Sequence, residues 1–171
     1  MSTKPEQQMR LDLVADFKEL HMKPIENKVG VGTPDVCYIG GHAELKRILE
    51  WPARDGILKP HRYTNAQRIW LKTHWDLGGR AFLVMQIAQE WLVFAGPDAW
   101  PIGTVDCPTV RSLAILHMDR YRKEDLKYIL TAPLDELEHI RSIKCTQTLA
   151  SKHMKNFTFT AAGKATRSSN S

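Results

Sequence analysis

Cysteine is scarce in this chain: Cys37, Cys107 and Cys145 are far apart and form no Cys-x-x-Cys pair. That excludes a disulfide framework and a zinc finger, and reduced thiols are expected. The seven histidines show no ligand spacing, so none is a candidate metal ligand. No apolar run approaches the roughly 18 residues of a membrane span, and the start Met-Ser-Thr-Lys-Pro-Glu-Gln-Gln lacks a signal peptide's apolar stretch. The expectation is a cytoplasmic protein with no membrane partner, in the host cytoplasm if the gene is viral. No internal repeat is visible. Acidic residues are missing from two stretches, 56–75 and 150–171.

What is present is ordinary for a globular domain: 171 residues, 43% hydrophobic and 25% charged, enough to bury one sizeable core. The net charge is +5, but Lys152, Lys155, Lys164 and Arg167 supply four of those charges, leaving +1 for residues 1–149. Ser, Thr, Ala and Gly dominate that end. A disordered tail over 150–171 is expected, either adding sequence-independent phosphate attraction or merely solubilising a single domain over 1–149.

Along the chain, Leu13, Val14, Phe17 and Leu20 recur at helical spacing and predict an amphipathic helix over 11–21. Residues 28–31 read as a first strand. Val36-Cys37-Tyr38-Ile39 and His42-Ala43-Glu44-Leu45 read as two more, joined by Gly40-Gly41. Residues 51–63 form a long connection rich in Pro, Gly and positive charge. Thr64 opens a helix that Gly78-Gly79 ends. The continuous apolar segment 81–88 and then 91–94 are strands, 96–108 is a loop, and two short helices follow around 123–130 and 134–143. Helix, three strands, helix, strand implies an α/β fold with a mixed sheet and helices packed on it.

The hairpin carries the chemistry. With Gly40-Gly41 as a two-residue turn, Ile39 opposes His42, Cys37 opposes Glu44 and Asp35 opposes Lys46. Asp35, Cys37, Glu44 and Lys46 then share one face, with Asp35 the diagonal neighbour of Glu44 at roughly 7–8 Å. Two carboxylates beside one ammonium suit a hard cation such as Mg2+ or Mn2+, which takes carboxylates, waters and phosphate oxygens. Such an ion can polarise a phosphoryl oxygen and lower the pKa of bound water. Lys46 adds positive charge, as base assistant or as electrostatic stabiliser; the sequence leaves both open. The competing account is a solvated strand face whose ion pairs are worth at most about 1 kcal/mol.

Gly32-Thr33-Pro34-Asp35 followed by Glu44-Leu45-Lys46 resembles the signature of the PD-(D/E)XK nuclease superfamily. Within it the layout is similar to phage Holliday-junction-resolvase-like and virus-type replication-repair nuclease domains. The resemblance spans about residues 10–95 and implies a restriction-endonuclease-like αβββαβ core, here with C-terminal helices added. It implies Asp35 and Glu44 as metal ligands, the Leu45 carbonyl as a third, and Lys46 as the catalytic lysine. Glu26 corresponds to an additional acidic residue of several such nucleases, with a solvated turn glutamate as the alternative. Gln67 resembles a glutamine that many carry on the helix after the lysine strand. A capping box from Thr64 to Gln67 accounts for it equally well.

Residues 56–75 carry Lys59, Arg62, Arg68 and Lys72 with no acid, and Arg54 lies just before. Such cations can hold a nucleic-acid backbone in register without reading sequence, or Arg68 and Lys72 are simply solvated on one helix face. The expectation is a Mg2+-dependent endonuclease hydrolysing phosphodiester bonds in DNA. By resemblance the DNA is branched, such as a four-way junction, and paired incision then requires a homodimer. The alternatives are a general or end-acting DNA nuclease and a non-catalytic DNA-binding module of the same fold.

Overall fold

The computed structural model describes residues 5–26, 32–53 and 56–144. The expected strand at 28–31, Arg54, Cys145 and the tail at 150–171 lie outside the described residues. The elements are α1 (Pro5–Asp16), β1 (Lys23–Pro24), β2 (Val36–Tyr38), β3 (Gly41–Ile48), α2 (Asn65–Asp76), β4 (Arg80–Ile87), β5 (Glu90–Ala95), α3 (Cys107–Leu113), β6 (Leu116–Met118) and α4 (Lys123–Thr131). A fifth helix, α5, covers 134–144.

The strands form one six-stranded sheet in the order β1-β2-β3-β4-β5-β6. All neighbours are antiparallel except β3 and β4, which run parallel over eight residue pairs with α2 as their crossover. The fold is therefore α/β, with a mixed sheet flanked by helices. Its centre is buried on both faces, as the apolar run 81–85 of β4 requires. Phe82 and Val84 join Met9, Leu13, Phe17, Ala43, Leu45, Leu126 and Leu137 in one core cluster. Ala81, Leu83, Met85 and Ile87 join Leu71, Phe94, Ile102 and Val110 in the other. Among the described residues no helix is long and apolar enough to cross a membrane.

Several boundaries differ from the sequence expectation. The first helix begins at Pro5 and ends at Asp16, and Lys18–Leu20 form a single 3-10 turn. Met9, Leu13, Phe17 and Leu20 are all buried. The tighter turn keeps Leu20 on the inner side, so helical spacing in the sequence runs past the point where the helix stops. In the hairpin, Tyr38 pairs with Gly41 and Cys37 with His42, so the turn residues are Ile39 and Gly40 rather than Gly40 and Gly41. Gly40 takes the left-handed backbone at φ +89°. Gly41 belongs to the strand because the Tyr38 ring lies over it: a Cβ there would sit 2.3 Å from the Tyr38 hydroxyl. The loop expected over 96–108 ends in α3, whose N-cap Asp106 accepts from the Thr109 N–H at 2.9 Å.

Long-range polar ties hold the periphery. Glu90 accepts from Trp51 Nε1 at 2.6 Å, from Arg111 at 3.1 and 3.2 Å and pairs with His117 at 2.8 Å, fixing Trp51 and α3 to β5 and β6. Arg141 of α5 grips Asp98 at 2.6 and 2.8 Å, and Trp75 of α2 donates to Glu138 at 2.5 Å.

Gly32 sets the approach of the β2 segment to α2. Its φ is +90°, and a Cβ would come within 2.6 Å of the Ala66 carbonyl carbon. Gly32→Ala combines left-handed strain with a backbone collision, costing on the order of 1–3 kcal/mol. A lower urea midpoint at unchanged m-value checks this; an unchanged midpoint would refute the close approach.

Candidate active site

The site is built on β3. On the sheet face covered by α2, its residues His42, Glu44 and Lys46 lie beside Ala81, Leu83 and Met85 of β4. Where β4 places apolar side chains, β3 places charge. Glu44 is 0% and Lys46 4% exposed, so both are core positions by burial. Lys46 Nζ lies 2.6 Å from Glu44 Oε1. At the β2 end, the register shift of two from the expected pairing keeps side-chain parity, so Asp35, Cys37, Glu44 and Lys46 still share a face. Extending the observed pairing by one step sets Asp35 directly across from Glu44 instead of diagonal to it.

Asp35 is half-buried, and its Oδ2 accepts from the Leu45 N–H at 2.9 Å. Within a strand, the N–H and C=O of one residue point to the same edge. The Leu45 carbonyl is therefore directed toward the edge where Asp35 sits.

Gln67 resolves two readings that the sequence set against each other. Its Oε1 accepts from the Thr64 N–H at 2.9 Å, completing the capping box that starts α2. Its Nε2 donates to Glu44 Oε1 at 2.5 Å. One amide both caps the helix and touches the carboxylate. Further along the same face, the His42 ring lies edge-on to Trp70 and His74, with centroids 5.0 and 4.9 Å away, and packs α2 onto β3.

Burial, followed by the charge of the adjacent Asp35, pushes the Glu44 carboxyl up to about 8, while Lys46 pulls it the other way. Glu44 Oε2 is buried without a hydrogen-bond partner. Two carboxylates, one with an oxygen left without a partner and electrostatically strained by the other, with a backbone carbonyl at the same edge, fit a hard divalent cation. Among the described residues no three His, Cys, Asp or Glu side chains gather as ligands, so this set relies on the Leu45 carbonyl and solvent to complete a shell.

The remaining candidates separate. Glu26 is exposed, and the bond from the Ile25 N–H to the Asp35 carbonyl puts Ile25, not Glu26, on the Asp35 face. Lys59 is exposed on the connection before α2. Arg68 is turned inward: its guanidinium donates to the carbonyls of Trp100 at 2.8 Å and Ile102 at 2.6 Å and stacks over Tyr63. It ties the 97–104 turns to α2 rather than facing a strand of nucleic acid. Lys72 is exposed and paired with Asp76. Arg62, in contrast, lines a cavity of about 440 Å3 together with Asp35 and with Glu6, Gln7 and Arg10 of α1. The α1 residues were missed because a helix read as starting at Leu11 leaves them out. Their i, i+4 spacing, Glu6 to Arg10, becomes legible once Pro5 is taken as the first helical residue.

Compared with protein-family models, with curated proteins and with solved structures, this chain matches none.

The raised Glu44 pKa sets a stability profile. Without divalent cations, the folded chain holds a proton at Glu44 that the unfolded chain, with its ordinary value of 4.5, has released. Stability from this group is complete below about 4.5 and is lost as pH rises through about 8. In chelator, the melting temperature of Glu44→Gln should overtake that of the wild type between pH 5 and about 8. Parallel profiles for the two chains would show that Glu44 is not strained.

Proposed function

We propose that this chain is a metal-dependent nuclease of PD-(D/E)XK type that hydrolyses phosphodiester bonds in DNA. The observation that carries the reading is the convergence on one buried carboxylate, Glu44, of Asp35, Lys46 and Gln67 from β3, its neighbouring strand segment and the crossover helix. A purely structural ion pair has no use for a second carboxylate that raises its energy, or for an unsatisfied Oε2. The order helix, three strands, helix, parallel strand supports the same reading, because it matches the αβββαβ arrangement that the resemblance implies.

Asp35, Glu44 and the Leu45 carbonyl would hold Mg2+ or Mn2+, which supplies Lewis acidity at the scissile phosphate and a more acidic water. The chain's own residues do the rest. Lys46, buried with Glu44 beside the apolar side chains of β4, presents its ammonium where negative charge develops on the phosphoryl oxygens, and its low-dielectric setting strengthens that effect. Gln67 fixes the rotamer of Glu44 through a bond that is itself anchored to the backbone at Thr64. Asp35 is oriented by the Leu45 N–H. Branched DNA is the proposed substrate, with a twofold-symmetric dimer making paired incisions.

Incubation with a labelled four-way junction and a matched linear duplex, in Mg2+, in Mn2+ and in chelator, tests this. Paired cuts at the junction are expected, abolished by chelator and by Asp35→Asn, and slowed about 10²–10³-fold by Lys46→Ala. Equal cutting of the duplex would leave a general nuclease. Binding of both DNAs by the wild type with no cleavage in either metal would replace the enzyme with a DNA-binding module.

A further inference from the structure

The cavity beside Asp35 is lined by two guanidinium groups that form no ion pair or side-chain hydrogen bond among the described residues. Arg10 comes from the second turn of α1 and Arg62 from the connection that leads into α2. Glu6 and Asp35 line the same space, yet among the described residues neither arginine forms an ion pair with them. Arg10 Nε is buried with no hydrogen-bond partner. A buried donor left unmet is costly, and two cations lining one concavity repel. Both penalties disappear when an anion with several acceptor oxygens lies between them.

Arg62 is also held there at a backbone cost. Its φ is +53°, a left-handed conformation that is uncommon outside glycine. The residues after it enforce that turn: Tyr63 is buried with its hydroxyl donating to the Ala99 carbonyl at 3.1 Å, and Thr64 caps α2. Tyr63 and the cap thus fix where the Arg62 backbone stands. Guanidinium forks suit phosphate oxygens in shape and charge, and a volume of about 440 Å3 admits a phosphate with part of its nucleotide.

We infer that Arg10 and Arg62 form a phosphate subsite that holds a backbone phosphate next to the one presented to Asp35 and Glu44. The subsite rests on the nuclease reading only for what lies beside it; that it binds an anion stands on the cavity alone. It makes the ligand a continuous strand, gripped at two successive phosphates, rather than a chain end. It also adds a phosphate contact from α1, outside the basic stretch 56–75, to the one that Arg62 supplies from within it.

The test is a fluorescence-anisotropy titration of the full chain with a labelled oligonucleotide in chelator, where cleavage is off. Arg62→Ala and Arg10→Gln should each weaken binding about tenfold and lower the slope of log K against log salt by about 1. Arg10→Lys should recover the salt slope but not the full affinity, because the fork is lost. A series of single methylphosphonate replacements should reveal one internal position that weakens wild-type binding and leaves Arg62→Ala unaffected. Unchanged affinity and salt slope in both arginine variants, with unchanged melting temperature, would overturn the subsite even if the chain cleaves DNA. Arginine-dependent binding without any cleavage would keep the subsite and remove the nuclease. A dependence on a 5′-phosphate, with no internal position responding, would overturn the assignment to a continuous strand.

Discussion

A carboxylate cannot be withdrawn completely from water unless its surroundings answer its charge, and the requirement to answer Glu44 organises this protein. On β3, between β2 and β4, Glu44 is 0% exposed. An ammonium two residues along the same strand and an amide from the crossover helix answer it, while a second acid across the hairpin opposes them. For the amide to arrive, α2 must lie on this face of the sheet, and the parallel pairing of β3 with β4 puts it there. The right-handed preference of such crossovers gives the topology little freedom to do otherwise.

The site is therefore part of the core and is subject to its physics. Leu83 and Met85 lie alongside Glu44 and Lys46 and keep the local dielectric low. That setting magnifies the attraction of Lys46 for Glu44 and equally the repulsion from Asp35. Replacing a buried charge cluster by well-packed apolar residues is commonly neutral or stabilising. Retaining this one is hard to explain by stability, and it is consistent with chemistry as its reason. On the opposite face, among the described residues, α1, α4 and α5 pack mainly apolar side chains onto the sheet, Arg47 and Arg80 reach the carbonyls of Pro5 and Ala132 there, and α1 alone also reaches the Asp35 cavity through Glu6 and Arg10.

Much of this was legible in the residues. Side-chain parity placed Asp35, Glu44 and Lys46 together, and it survived an error in the turn because a shift of two residues leaves parity intact. The Thr64 to Gln67 spacing marked the start of α2, and the apolar run after Gly79 marked a strand buried on both sides. What the sequence hid was mostly three-dimensional. Nothing local distinguishes Arg68, which turns inward to carbonyls of a distant loop, from Arg62, which lines the cavity six residues before it. The contribution of α1 was obscured because a 3-10 turn prolonged the apparent helix at its end while its polar first turns carried no apolar signal. β6 has three residues and pairs only with β5, too little pattern to separate from a loop.

The double use of Gln67 has a consequence for how the molecule opens. Its amide belongs at once to the first turn of α2 and to the environment of Glu44, and the residue before the cap, Tyr63, anchors the turn that carries Arg62. Helix starts and connections unfold locally at far lower free energy than central strands. Glu44 and Lys46, in the eight-residue ladder to β4, share the lifetime of the sheet. Gln67 and Arg62 share the lifetime of one helical turn and leave together when it frays. The site thus straddles a boundary between two cooperative units, and amide exchange at Thr64 and Gln67 reports the intact assembly before the global fold gives way.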